Sequence, residues 1–226
     1  MAESSSPPPD WASDTEQQVL DAALKLAPLQ GWTQAMAIAA GAAIGLSPGE
    51  TELLLPHGPA DLGALLSRRH DAAALAELAK LDVAAMKIRE RIARAVAVRV
   101  EAAMADEAAE RRLAGFMALP KNAPLAVRLA WESADKLWRW AGDTATDENH
   151  YSKRALLAGI LTGAFAIGLA SGREDALSFV DRRIADVMSF EKWKATTRIR
   201  PSQWLAEAAR KLGERRFGKD ADKPAA

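Results

Sequence analysis

With 226 residues, 49% of them hydrophobic and 27% charged, the chain is long enough to bury a sizeable core and too apolar to be disordered throughout. Cysteine is absent, which excludes disulfides and thiolate metal sites and accords with a reducing compartment. The formal net charge of +0 conceals a polarity: residues 1–66 hold one base, Lys25, against eight acids, while residues 189–219 hold nine bases against three acids. The C-terminal end is therefore the one that could meet anionic lipid or nucleic acid.

In chain order, MAESSSPPPD at the start has neither a basic segment nor an apolar one and is not Arg-rich, so neither a secretory signal nor a mitochondrial presequence is expected. Residues 1–12 read as a disordered tail. A helix follows from Asp14 through Val19, Leu20, Ala23, Leu24 and Ala27, closed by Pro28 and Gly31. Thr33 opens an Ala-rich helix to about Ile44, and Ser47-Pro48 caps a short one ending near Leu55. After a segment from Asp61 to Arg69, the longest helical stretch is predicted from Asp71 to Met104. Its apolar face carries Leu81, Ala85, Ile88, Ile92, Val96 and Val100, with Lys87, Arg89, Arg91, Arg94 and Arg99 mostly on other faces.

Glu107–Leu119 reads as the next helix, stopped by Pro120. Pro124 lies in the first turn of the following one, which carries Leu125, Leu129, Trp131, Trp138 and Trp140 and ends at Gly142. Thr146 or Asp147 caps a helix holding Tyr151 and Arg154 and continuing through an uncharged run from Ala155 to Gly172. Glu174–Met188 forms a further helix, and a basic linker leads through Pro201 and Ser202 to a last amphipathic one ending near Phe217. Alternating strand patterns are scarce.

The head, with Val19 to Leu26, then Gly31-Trp32-Thr33, then Ile38 to Ala42, resembles the three-helix DNA-binding head of TetR-type repressors, a family with a helical, ligand-binding, dimeric body. Where a recognition helix would lie, however, Ser47-Pro48-Gly49-Glu50-Thr51-Glu52-Leu53-Leu54-Leu55 offers two carboxylates and no base. Phosphate neutralisation supplies most non-specific DNA affinity, so an acidic head is repelled. The expectation is a repressor-like shape without repressor chemistry, and no nucleic-acid partner.

The informative segment is Trp131-Glu132-Ser133-Ala134-Asp135-Lys136-Leu137-Trp138, then Ala141-Gly142-Asp143-Thr144-Ala145-Thr146-Asp147-Glu148-Asn149-His150-Tyr151-Ser152-Lys153-Arg154. It resembles the signature of the Coq-nine family of coenzyme Q (ubiquinone) biosynthesis, as do Leu119-Pro120 upstream and Phe179-Val180-Asp181-Arg182-Arg183-Ile184 downstream. The likeness runs from about Lys87 to Lys194. Two departures stand out: the family often carries an aromatic residue at His150, and bulkier residues with an acidic pair near Ala170-Ser171-Gly172. Read from the residues alone, Gly142, Asp143 and Asp147 also suit a helix stop followed by a capping box. Trp131 and Trp138, seven apart, suit core packing around Asp135, which needs a partner such as Arg154 or Lys153.

No catalytic constellation assembles. Asp147-x-x-His150 has the spacing of half a di-iron site, but the other histidines, His57 and His70, have Leu54 and Ser67 three residues before them. No metal, cofactor or enzymatic activity is expected.

The uncharged run ALLAGILTGAFAIGLASG passes a length test for a membrane span, yet its small residues favour a core helix in which Gly159 and Gly163 allow close approach. Family resemblance implies an apolar cavity for isoprenoid lipid, giving Trp131, Trp138, Leu156, Ile160, Phe165, Ile167 and Leu169 as candidate lipid-binding residues. It likewise implies a surface for a partner, the di-iron demethoxyubiquinone hydroxylase, with Asp135, Trp138, Asp143, Asp147, His150, Tyr151 and Arg154 as candidates. At the C-terminus, Trp204, Leu205 and Leu212 on one face with Arg210, Lys211, Arg215 and Arg216 have the composition of a helix lying in a membrane interface.

The sequence therefore predicts an all-α, TetR-like helical bundle with a degenerate helix-turn-helix head (13–70), a lipid-binding and dimerisation body (71–190), and a basic linker with a C-terminal amphipathic helix and tail (191–226). The expected function is that of a non-enzymatic homodimer that binds isoprenoid quinone precursors and presents them to the hydroxylase. The alternative is a ligand-sensing transcriptional regulator. Without a presequence, a bacterial protein is expected, cytoplasmic and peripheral to the inner membrane.

Overall fold

The structure, a computed structural model, describes residues 11–143 and 148–196. Among the described residues there are nine α-helices, one 3-10 turn and no strand, in agreement with the all-α expectation. The chain divides into two compact units, Met1–Arg183 and Ile184–Ala226. The helix expected over Pro201–Phe217, with Trp204, Leu205, Arg210, Lys211, Leu212, Arg215 and Arg216, lies outside the described residues.

The second and third helices begin where their caps predict, whereas the first, read from Asp14, already starts at Trp11. α1 (Trp11–Gln30) runs on through Pro28 and stops at Gly31, whose φ of +69° suits a residue without a Cβ. Proline removes only its own N–H from the ladder, and Gly31 N–H still reaches Ala27 O at 2.9 Å. α2 (Gln34–Ala43) starts under the Thr33 hydroxyl, which accepts from Met36 N–H. α3 (Pro48–Leu54) starts in a capping box: Ser47 Oγ accepts from Glu50 N–H, and Glu50 Oε2 accepts from Ser47 N–H at 2.8 Å. Val19, Leu20 and Ala23 of α1 close on Met36 and Ala40 of α2 and on Leu62 and Leu66 further along.

The stretch read as one helix from Asp71 to Met104 is two. α4 (Pro59–Leu78) ends before Lys80, a 3-10 turn spans Val83–Ala85, and α5 (Ile88–Met104) begins afresh. Asp82 makes the break: its carboxylate accepts from Ala84 N–H at 3.1 Å, a local bond that competes with the helical ladder. Glu90 Oε2 then accepts Lys87 N–H at 3.0 Å and caps α5. The apolar period counted from Leu81 thus crosses a break, and Ile88 is 46% exposed. The core face of α5 is Ile92, Ala95, Val96 and Val100.

α6 (Glu107–Met117), α7 (Ala123–Trp140) and α8 (Glu148–Ser171) follow, and α9 (Arg173–Thr196) gives its beginning to the first unit and its remainder to the second. Within the first unit α4 packs on α5 and α7, α8 packs on α5 and α7, and α6 packs on α1. Trp32 Nε1 donates to Ala109 O at 3.0 Å and pins the turn after α1 to α6. By length and composition α8 could cross a membrane, but a third of its apolar window is buried. It is a core helix on one face only. Leu157, Ile160, Leu161 and Ala164 are buried, while Ala155, Leu156, Gly159, Thr162 and Ala166 are exposed.

Candidate functional site

Two buried arginines organise the helices that carry the predicted site. The first joins α7 to α8. Trp140 is followed by a helix stop in which Gly142 (φ +94°) donates to Arg139 O and Asp143 donates its N–H to Trp138 O, both at 3.0 Å. This stop delivers the Asp143 carboxylate to α8, where Lys153 Nζ reaches it at 2.7 Å and Arg154 Nη1 at 3.0 Å. Arg154 Nε meets Asp135 at 2.6 Å, and Arg139 meets the other oxygen of Asp135 at 2.7 Å. Asp135 between its tryptophans therefore finds the partner its charge demands. Burial pushes the Asp135 and Asp143 carboxyls up, but the hydrogen bonds and charges of Arg154 with Arg139 and Lys153 prevail, and both sit below the ordinary carboxylate range.

The second arginine, Arg99 of α5, is 3% exposed and was not singled out by the sequence. Its Nε donates to Asp71 Oδ1 at 2.6 Å, and its Nη2 donates to the Ser67 carbonyl at 3.2 Å and Oγ at 3.3 Å. Asp71 also receives Ser133 Oγ at 2.6 Å and Lys136 Nζ at 2.8 Å. Burial raises the Asp71 carboxyl, but the Arg99 charge and these hydrogen bonds outweigh it, and the carboxyl is lowered. The guanidinium lies over the Phe165 ring at 5.0 Å. Its Nη1 is closed off from water and has no hydrogen-bond partner.

Beside Arg99 is a cavity of about 420 Å³, within the range of small-molecule pockets. Its walls are mainly apolar: Leu113, Met117, Leu129, Leu161, Phe165 and Leu169, with alanines from α6, α7 and α8. Arg99 and Ser133 make a buried floor, while Ala114, Ala118, Thr162 and Ala166 on the opposite rim are exposed. Of the predicted lipid-binding residues, Phe165 and Leu169 line this cavity. Ile160 is buried without lining it, Ile167 is half-buried, and Leu156 is 46% exposed.

The tryptophans serve the α7–α8 seam. Trp138 Nε1 donates to Lys153 O at 3.0 Å, and the Lys153 ammonium lies 5.4 Å from its ring centre. Trp131 is half-buried, 6.1 Å from Tyr151, whose own ring meets His150 edge-on at 5.2 Å. Tyr151 is 63% exposed, so this pair presents an aromatic surface at the start of α8. Asp147 lies outside the described residues.

Sequence reasoning missed Arg99, Ser133 and the α6 wall. Arg99 is one residue from Val100 and three from Val96 of the apolar stripe, and Ser133 lies in the motif segment. Their spacing was the available signal. At the head, Glu50 and Glu52 are both exposed on α3, so the charge pattern that opposes DNA phosphate lies on the surface.

Residues 123–191 match the COQ9 family. The chain is 31% identical over 194 residues to the ubiquinone biosynthesis protein COQ9, mitochondrial, of Bos taurus, a match covering 80% of this chain and 60% of that one. The Homo sapiens protein of the same name is 29% identical over 194 residues, with the same coverage. The chain thus spans about 60% of the length of these relatives. Among solved structures, the TetR transcriptional regulator from Nitrosomonas europaea superposes with a TM-score of 0.61 at 15% identity, covering 76% of this chain and 97% of that one. That likeness shows the fold.

The expectation of a bacterial protein, cytoplasmic at the inner membrane, is corrected by these names, which are mitochondrial throughout. It rested on the composition of residues 1–10, and the make-up of ten residues does not fix a compartment. Residues 123–191 are thus similar to the COQ9 family, the likeness to mitochondrial COQ9 proteins extends over four fifths of the chain, and the fold is TetR-like and all-helical.

Proposed function

We propose that the protein serves ubiquinone biosynthesis as a non-enzymatic carrier, holding an isoprenoid quinone precursor in the cavity among α4–α8 and presenting it to a di-iron demethoxyubiquinone hydroxylase. The observation that carries this reading is the largely apolar cavity of about 420 Å³ in a chain related to proteins named for that pathway. Its exposed rim gives an apolar tail a way out, and its buried floor excludes water from the head of the ligand.

Presentation needs a second surface. Tyr151, with Trp131 and His150 beside it, supplies an exposed aromatic patch on α8, and the Arg154 network behind it fixes the angle between α7 and α8. The outward face of α8 suits a second copy of the chain, and the basic segment beyond residue 190 suits a membrane surface. In this scheme residues 13–70 are a structural head and residues 71–190 the working body.

The test is native mass spectrometry with lipid extraction on the purified protein. The expected result is a dimer carrying an isoprenoid quinone or its precursor. A lipid-free protein that takes up no added precursor would remove the carrier reading. Tyr151→Ala should weaken pairing with the hydroxylase while leaving the melting temperature unchanged; a large fall in melting temperature would mark Tyr151 as structural.

A further inference from the structure

The turn between α4 and α5 carries cations that the fold leaves without carboxylate partners. Residues 80–94 hold five bases against two acids. Both acids serve the backbone: Asp82 accepts from Ala84 N–H at 3.1 Å, and Glu90 accepts from Lys87 N–H at 3.0 Å. Lys80 is paired with Glu77 at 2.7 Å. Lys87, Arg89 and Arg94 are exposed and form no salt bridge among the described residues. Arg91 donates to two carbonyls, Met86 O at 2.9 Å and Ala141 O at 3.0 Å, which tie the turn to the end of α7 without neutralising the charge.

An apolar tip stands among these cations. Ile88 is 46% exposed and is flanked in the chain by Lys87 and Arg89. Ala84 and Ala85 are exposed, Val83 and Met86 are half-buried, and the first buried residue of α5 is Ile92, one turn in. Lys87, Arg91 and Arg94 recur at steps of four and three along one face of the helix. An exposed aliphatic beside long cationic side chains suits an anionic bilayer, where the aliphatic enters the acyl boundary and the cationic heads reach phosphate. The apolar part, one isoleucine and a short turn, is too small for a stable protein interface, which takes about 800 Å² per partner. Residues 80–94 also hold no aromatic side chain on which a base could stack, which disfavours single-stranded nucleic acid.

We propose that the α4–α5 turn and the first two turns of α5 form a contact site for an anionic lipid bilayer, with Ile88 entering the interface and Lys87, Arg89, Arg91 and Arg94 meeting lipid phosphates. The site belongs to the helical body. It is independent of the basic segment beyond residue 190 and of the carrier reading, because it holds the body on the membrane whether or not the cavity takes a lipid.

The absence of cysteine allows a local readout on the full-length protein. A nitrobenzoxadiazole label, whose emission reports polarity, is attached through Ile88→Cys and, as a control, through Leu29→Cys; Leu29 is 86% exposed in α1. Vesicles of phosphatidylcholine with phosphatidylglycerol should shift the label at position 88 to the blue, and bromine on the acyl chains should quench it. The label at position 29 should do neither. Vesicles of phosphatidylcholine alone should leave both labels unchanged, as should anionic vesicles in about 1 M salt, where the Debye length is about 3 Å. Each basic residue at such a surface is worth about fivefold in partitioning. Lys87→Gln, Arg89→Gln and Arg94→Gln together should therefore weaken sedimentation with anionic vesicles by about tenfold or more.

If the protein sediments with anionic vesicles while the label at position 88 stays in water, the membrane is met elsewhere and the proposal is wrong. If neutral and anionic vesicles shift that label equally, the cations recognise nothing and the proposal falls. If an oligonucleotide shifts it and vesicles do not, the patch is a nucleic-acid surface instead. If no vesicle binds, the contact fails, and the carrier reading is left to its own lipid-extraction test. Should the triple variant not fold, the label at position 88 on the otherwise unaltered chain still decides.

Discussion

Arg99 and Arg154 are nearly sealed from water, at 3% and 1% exposure, and each faces aspartate from a neighbouring helix. Arg154 spreads its nitrogens over Asp135, Asp143 and the His150 carbonyl, so one residue ties the end of α7, its terminal loop and the start of α8. Arg99 is held by Asp71 and Ser67 of α4, and its Nη1 is closed off from water without a hydrogen-bond partner. The difference teaches that burial alone does not assign a role to a charged residue. A buried guanidinium whose fixed partners span two helices acts as a strut, whereas one left with an unmet donor carries a desolvation cost that its remaining partners must offset.

The largest effect that would sharpen this comparison is loss of the strut. Arg154→Met strands two carboxylates, leaving Asp143 to Lys153 and Asp135 to Arg139. Breaking a buried pair by deleting one partner is destabilising by about 3–5 kcal/mol, and the exposed partners that remain lower that toward the bottom of the range. Urea unfolding should show the loss, with reduced occupancy of any partner that reads the start of α8. A change below about 1 kcal/mol would mean that Lys153 and Arg139 suffice, and Arg154 would no longer count as a strut.

Acid should act on both networks. Asp71, Asp135 and Asp143 are each lowered in the folded protein, so their contribution is fully present above the ordinary carboxylate value of about 4 and is lost as pH falls through the lowered values. Stability should be level near neutrality and decline below about pH 4. The Asp71 side chain is 3% exposed and that of Asp135 23%, so solvent screens the second more. Urea midpoints between pH 3 and 7 should fall less steeply in Asp71→Asn than in Asp135→Asn. Equal slopes would show that the cavity-floor pair titrates no more strongly than the seam.

Much of the fold was legible because its signals are local. Thr33, Ser47-Pro48 and Gly142 act within a turn of themselves, and each marks a helix end in the structure. The break at Asp82 was hidden because apolar spacing continues across it by coincidence, and only the Asp82–Ala84 bond reveals the competing turn. The Asp135–Arg154 pairing could be anticipated from charge balance in one segment. The Asp71–Arg99–Ser133 floor could not, since it joins residues 28 and 62 positions apart. Which of Leu156, Ile160 and Phe165 meets the cavity depends on the roll of α8, and a helix apolar nearly all round carries no moment to set that roll.

The smallest effect tests that roll directly. Gly159 and Gly163 form one GxxxG pair in sequence, but the structure separates them. A Cβ on Gly163 would lie 2.8 Å from the Phe179 ring of α9, whereas one on Gly159 would meet nothing within 4 Å. Gly163→Ala must displace an aromatic ring from a packed seam, and overpacking of that kind costs about 1–3 kcal/mol. Gly159→Ala restricts the unfolded chain and fits the helix, so it should raise stability by about 0.4–1 kcal/mol in the monomer. Thermal melts at low protein concentration, where a second copy does not contribute, give both signs. If the melting temperatures move in the same direction, α8 is rolled differently from the structure, and the cavity lining assigned to Phe165 and Leu169 changes with it.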